Sequence, residues 1–361
     1  MVAIPRLIFF FTFIGLSFFC YGQAGRDDAL QNFDALCTLF EENYASFEEK
    51  NIDWAPTCSE YRKNISSNTA GPELFHIMVK MLRPLNDAHV SLKAKAIDSA
   101  FSASRESRIL KELKHIPRSK IGAAFKKMTV NTLDENGFSP ITEIGPKFRG
   151  KKLFGYSQNS KIGYLRFFRS FSTLAAMNGP SLSNQLDEIF SSFKDLEAVI
   201  VDIRFNIGGD DRFSQSVAGK FVKDPTIGFY KQTRSKGKFG PLETRMIKPN
   251  GKVQFLDRKV VLLTNDKSTS AADVLALMMS QLPNVTLIGE ASNGSYSDIF
   301  EKKLPNGWKV TLSNQRYLST DKQNYEGKGT PVDIEVKNMA QDLQRKEDSV
   351  LLAALEYLDK K

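Results

Sequence analysis

Cysteine, histidine and tryptophan are scarce in this chain of 361 residues, with 3, 3 and 2 copies respectively. The cysteines (Cys20, Cys37, Cys58) and histidines (His76, His89, His115) show none of the short spacings that metal ligands adopt, so neither a metal site nor a cofactor is expected. Past residue 19 no run approaches the roughly 20 apolar residues that a membrane helix needs, and no integral membrane segment is expected in the mature chain. A clustered basic stripe is also missing. The formal charge of +9 is spread as KK, RK and EKK among acids, which excludes a nucleic-acid face and leaves a mild attraction for acidic partners. No internal repeat or low-complexity stretch interrupts the chain, and nothing in it signals an oligomeric state.

What is present begins with an address. Met1–Arg6 is followed by a run of 13 largely apolar residues, Leu7–Phe19, and then by the small and polar stretch Tyr21-Gly22-Gln23-Ala24-Gly25. That is the form of a secretory signal peptide, expected over 1–22 with cleavage after Gly22. A lipoprotein reading of Cys20 fits less well, because bulky Phe18-Phe19 stands where lipidation wants small residues. The mature protein is therefore expected outside the cytoplasm, periplasmic or secreted. Only Cys37 and Cys58 would remain, free to close a helical hairpin as a disulfide or to stay as two buried thiols.

Apolar and charged fractions of 41% and 25% are those of a globular protein, and the length suggests two or so domains. Residues 23–95 read as helical: Leu30, Phe33, Cys37, Phe40 and Tyr44 step by three and four along one face. Residues 96–160 contain a basic helix-like piece, Glu106–His115, among turn-rich and strand-like runs, and are expected to form a β-containing insert or flap. Residues 161–361 alternate strands and helices. Ala198–Ile203 and Lys259–Thr264 are continuous apolar runs of the buried parallel type, which argues for an α/β core.

Four stretches could carry chemistry. Ser270 follows a buried strand and opens a helix, where unpaired N–H groups and the helix dipole could stabilise an oxyanion, with Ala271 N–H the natural donor. Ser270-x-x-Asp273 would equally serve as a capping box with no catalysis at all. Asp202–Gly209 ends a strand in two glycines, which suits a second oxyanion donor from Gly208 or Gly209 and equally suits a tight turn. His89, in Leu85-Asn86-Asp87-Ala88-His89, is a candidate general base, although a lone histidine is more often structural. Glu326, within Tyr325–Asp333, could hold a histidine's tautomer or simply sit in solvent.

Taken together and in this order, the four stretches resemble the S41 family of serine peptidases, which includes the C-terminal processing peptidases and the tricorn core protease. Ser270-Ala271-Ala272-Asp273 is similar to the family's Ser-Ala-x-Glu nucleophile motif, and Asp202–Gly209 to its Asp-x-Arg-x-Asn-x-Gly-Gly stretch. Gly289–Gly294 resembles Gly-x-x-Thr-x-Gly with Ser292 for Thr, and Glu326–Asp333 resembles Glu-Gly-x-Gly-x-x-x-Asp. The likeness covers 161–340 well and 30–95 loosely. One branch of the family pairs its serine with a lysine some twenty-five residues on. Ser295 stands there in this chain, and no PDZ signature is found in 96–160. The other branch uses Asp-x-His and a late Glu, which Asp87-Ala88-His89 and Glu326 match, with Ala88 where the tricorn core has a serine.

The resemblance implies a ClpP/crotonase-like α/β core and an N-terminal helical domain that delivers His89. It further implies a Ser270–His89–Glu326 triad acting through an acyl-enzyme on polypeptide, with Ala271, Gly208 and Gly209 at the oxyanion hole. An inactive member that binds an apolar or peptide ligand is the alternative expectation.

Overall fold

The computed structural model describes residues 28–148, 150–171 and 179–360, so the expected signal peptide over 1–22, with Cys20, lies outside the described residues. Helices α1 (Ala29–Asn43), α2 (Trp54–Arg62) and α3 (Gly71–Leu82) come first. The stripe read along α1 is buried at Phe33, Phe40 and Tyr44, and Asp28 caps the helix through the amides of Leu30 and Gln31. Cys37 and Cys58 are bonded to each other, tying α1 to α2 across a separation of 21 residues. A 3-10 turn over Arg83–Leu85 and a left-handed Asn86 (φ 45°) then lead into β1 (Ser91–Ala94) and β2 (Ser99–Ser102).

The chain continues through α4 (Arg108–Glu112), α5 (Arg118–Glu135), β3 (Thr142–Phe148), β4 (Lys151–Gln158) and β5 (Ile162–Phe167). After them come α6 (Gly179–Ser192), β6 (Ala198–Asp202), α7 (Asp211–Ala218), β7 (Thr226–Ser235), β8 (Lys238–Phe239) and β9 (Glu243–Ile247). The last part holds β10 (Lys259–Thr264), α8 (Ala271–Met279), β11 (Val285–Gly289), β12 (Ile299–Lys303), β13 (Lys309–Ser313), β14 (Gln315–Leu318), β15 (Ile334–Glu335), α9 (Ala340–Arg345) and α10 (Ser349–Asp359).

Seven strands form the central sheet in the order β15-β11-β10-β6-β5-β4-β3. The five from β15 to β5 are parallel, and β4 and β3 add antiparallel strands at one edge. Successive residues of the two apolar runs face opposite ways. Val199, Val201, Val260 and Leu262 pack with α6, α7 and α8, whereas Ile200, Val261 and Leu263 pack with α5 and α10. Burial on both faces is why these strands are continuously apolar rather than alternating.

Two further sheets surround this core. One has the order β12-β13-β1-β2 and shares an apolar core with α1, α2 and α3. The other is built on β7, with β14, β8 and β9 as its partners. In it, β7 and β9 run antiparallel, with Thr226 opposite Ile247. Segment 96–160 contains α5, a helix that the sequence pattern does not reveal, and two of its three strands, β3 and β4, hydrogen-bond into the central sheet.

Candidate active site

Strand β10 ends at Thr264, and a pinned loop carries the chain to α8. Ser268 Oγ donates to the Ile203 carbonyl at 3.0 Å, and Thr269 N–H donates to the Asn206 carbonyl at 2.9 Å. Ser270 is thereby held at φ 60°, ψ −123°, a conformation that costs a non-glycine residue on the order of 1–3 kcal/mol and persists where the surroundings enforce it. Its N–H donates to Asp273 Oδ2 at 2.8 Å, and the residue stays half-exposed at the start of the helix.

Asp273 does more than cap. Its buried carboxylate also accepts from the amides of Gly294 (2.7 Å) and Ser295 (3.0 Å), clamping the loop after β11 against the serine. Burial pushes this carboxyl up to about 6 against the hydrogen bonds that favour its charged form. Ser295, which stands where one branch of the resembling family has lysine, is part of this clamp and also donates to Asn293 Oδ1 at 2.8 Å.

Close backbone approach brings Gly208 to Ser270, Ala271 follows the serine directly, and Gly209 packs against Ser170. A Cβ on Gly208 (φ 80°) would lie 2.7 Å from Ser270 Cβ and 2.9 Å from Ala271 N, so only glycine fits. A Cβ on Gly209 would fall 2.1 Å from the Ser170 carbonyl oxygen. The donors differ in availability. Gly208 N–H already donates to Asn206 Oδ1 at 2.9 Å, whereas the N–H groups of Ala271 and Gly209 meet no acceptor among the described residues. Asn206 organises the turn, and its Nδ2 also donates to the Phe167 carbonyl at 3.1 Å.

The front half of the same motif has another task. Arg204 is fully buried and bridges Asp202 (2.7 Å) at the end of β6 to Asp348 (2.7 Å) at the cap of α10. Asn338, Tyr164 and Thr129 complete this network. Burial alone would raise Asp348, but the Arg204 guanidinium outweighs it and holds the carboxyl below its ordinary value.

His89 is delivered by the turn before β1. Its backbone N–H donates to Asp87 Oδ1 at 2.8 Å, and the other Asp87 oxygen accepts from Tyr44 Oη at 3.1 Å. Its carbonyl accepts from Thr311 Oγ1 on β13, and Nδ1 lies 3.5 Å from Ser313 Oγ. Burial lowers the imidazole below its ordinary value, while the charges of Asp87 and Asp298 push it up.

Glu326 is buried, with Oε2 accepting from Tyr296 N–H at 3.1 Å and Oε1 without a hydrogen-bond partner. Burial, then the Asp87 charge, push its carboxyl well up, and Lys50 only partly opposes them.

Short links therefore connect the predicted residues: Ser270 to Asp273, Asp273 to Ser295, and Tyr296 to Glu326, where the charge of Asp87 is felt. No hydrogen bond joins the His89 ring to Ser270 or to Glu326, and its ring partner is Ser313. Sequence reading named Asp87, Asp273 and Asn206 as motif members but gave no role to Tyr44, Ser313 or the Asn206 amide. Tyr44 lies on the apolar stripe of α1, and a hydroxyl at its inner end was the one available hint of a buried polar partner.

Comparison with known proteins points to one family. Residues 161–336 match the model of peptidase family S41, and residues 26–83 match the tricorn protease C1 domain. A provisionally named peptidase from Parabacteroides merdae has 26% identity and a TM-score of 0.76 over 92% of this chain and 98% of its own. Mature CPAF complexed with lactacystin is similar in fold, with 12% identity and a TM-score of 0.64 over 93% of this chain and 97% of its own. The tricorn protease gives 16% identity and a TM-score of 0.51, over 92% of this chain and 36% of its own. A mixed α/β chain that holds a serine in a strained turn against Gly208, and that matches these models along both its helical start and its core, belongs to peptidase family S41.

Proposed function

We propose that the protein is an exported serine endopeptidase that cleaves extended polypeptides through Ser270, His89 and Glu326. The observation that carries this reading is the strained, half-exposed Ser270, packed against Gly208 and followed by the unengaged amide of Ala271, with the unengaged amide of Gly209 next along the glycine turn. A capping role alone gives no reason for a glycine at that approach. His89 takes the Ser270 Oγ proton as Oγ attacks the scissile carbonyl, and the Ala271 and Gly209 amides receive the oxyanion. His89 then returns the proton to the leaving amine. A water deprotonated by the same imidazole releases the acyl group from Ser270. The imidazole must close on Ser270 when substrate binds, since catalytic hydrogen bonds are often long in free enzymes.

The negative charge facing His89 comes first from Asp87. Glu326, whose carboxyl burial and the Asp87 charge push up, orients the imidazole from the far side. The core from residue 161 onward is read as ClpP/crotonase-like. Residues 23–95 form the helical domain that presents the base, and 96–160 extend the core. Export is supported by the pattern over 1–22 and by the Cys37–Cys58 bond, which persists in oxidising compartments such as the periplasm or outside the cell. Incubation with a fluorophosphonate tests the mechanism: a single adduct on Ser270 is expected in the intact protein, with labelling lost in His89→Ala. Labelling that ignores His89, or that never reaches Ser270, contradicts it.

A further inference from the structure

A pocket of about 440 Å³ opens beside Gly209, and nothing in the catalytic scheme above uses it. Its position follows from two neighbours. Gly209 is the residue after Gly208, which touches Ser270, and Asp298 on the pocket wall is one of the two carboxylates whose charge reaches His89. The pocket thus lies where the side chain of the residue under attack would project from the oxyanion loop.

Its lining holds three carboxylates and three basic groups, and the ion pairs they form leave one carboxylate out. Phe171 and Phe229 form apolar walls, and Phe229 stacks on Tyr317 at 5.1 Å. The buried Lys231 bonds Asp298 at 2.8 Å and lies 4.8 Å over the Tyr317 ring. Asp211, the first residue of α7, accepts from Tyr317 Oη at 3.0 Å and forms no ion pair among the described residues. Arg212 is held by Asp210 at 3.1 Å and Arg245 by Glu243 at 2.5 Å. Two carboxylates therefore share one ammonium, and one negative charge is left without a counterion.

We propose that this pocket is the subsite for a cationic substrate side chain, lysine or arginine, and that Asp211 is the residue that selects it. The inference rests on the peptidase reading and names the substrate class of that same site. A lysine or arginine tip would complete the charge set at Asp211 while its methylenes lay along Phe171 and Phe229. An acidic side chain would meet both Asp211 and Asp298 and would have to break the Lys231 pair. A neutral apolar side chain would seal Asp211 away from water with no cation beside it, a costly arrangement. Burial, followed by the Asp298 charge, pushes Asp211 up to about 6, with Lys231 only partly opposing them.

The test is a cleavage profile on peptides that differ only in the residue before the scissile bond, for the intact protein and for Asp211→Asn. Lysine and arginine peptides are expected to lead in kcat/KM. The ratio of their kcat/KM to that of leucine or alanine peptides should fall by about 10- to 100-fold in the variant. A profile without basic preference, or a ratio that Asp211→Asn leaves alone, overturns the subsite while the peptidase stands. Loss of all cleavage in the intact protein would instead remove the reading beneath it. Benzamidine, an aromatic cation, gives a measurement independent of turnover and of the variant's folding. It should bind the Ser270→Ala protein and be competed by a lysine peptide but not by a leucine peptide, and failure to bind counts against the subsite.

Discussion

Asp273 shows how much one side chain does here. It accepts from Ser270, Gly294 and Ser295, so Asp273→Ala leaves three amides near the nucleophile without their acceptor. Each buried unsatisfied group costs about 1–3 kcal/mol. Urea unfolding should show a loss of at least about 3 kcal/mol, and peptidase activity should vanish with it. His89 makes a separate prediction. Its imidazole is lowered by burial, so the unfolded chain takes up a proton first as pH falls, and the folded state loses stability below about 6.5. The same lowering keeps the base neutral and active into mildly acidic solution. Asp87 opposes the burial effect, so Asp87→Asn keeps the turn's hydrogen bond but removes the charge. The acid limb of kcat/KM should move to lower pH, with a reduced plateau. An unmoved limb would show that Asp87 only shapes the turn.

At the scale of elements, the site is a set of strand ends. The ends of β6 and β10 supply the glycine loop and the serine, and the loop after β11 supplies the clamp partners. Arg204 fixes this arrangement by tying the end of β6 to the cap of α10. Arg204→Met would leave Asp202 and Asp348 buried and unpaired, and a loss of about 3–5 kcal/mol is expected in denaturant unfolding. Asp348 is held low by Arg204, so this stabilisation is present above about pH 3.8 and is lost as pH falls through its folded value.

Much of this level was readable in advance. The runs Ala198–Ile203 and Lys259–Thr264 announced buried parallel strands, because burial on both faces leaves no polar alternation to confuse them. Helix α5 was not readable. Its buried face includes Thr129 and Thr132 beside Ile121, Phe125, Met128 and Leu133, and threonines paired to a distant chain segment look polar in a hydropathy pattern. The pairing of Ser91 with Thr311 was hidden for a different reason: strands some two hundred residues apart carry no local mark of their partner. At the site, the motifs located Ser270, Gly208 and His89, but the split between a structural Asp202–Arg204 half and a turn-forming Asn206–Gly209 half needed coordinates.

Across the whole molecule, the N-terminal helices and the central sheet are built on separate apolar cores. One joins α1, α2 and α3 to the sheet that carries His89's neighbours, and the other is the central sheet with its flanking helices. The Cys37–Cys58 bond staples the first of these cores. Its removal as Cys37→Ser/Cys58→Ser should cost about 2–4 kcal/mol, as closing loops of this size usually contributes. Because His89 rides on that core, activity should fall at lower denaturant concentration than the unfolding of the central sheet. Coincident loss would mean that the two cores unfold as one cooperative unit.

The most direct test of the account compares the mature protein with its Ser270→Ala variant on an unstructured polypeptide, reading the products by mass spectrometry. The account predicts fragments from the intact protein and none from the variant, with new termini following lysine and arginine. Fragments that appear equally with both proteins would contradict it, and so would a stable, folded protein that yields none.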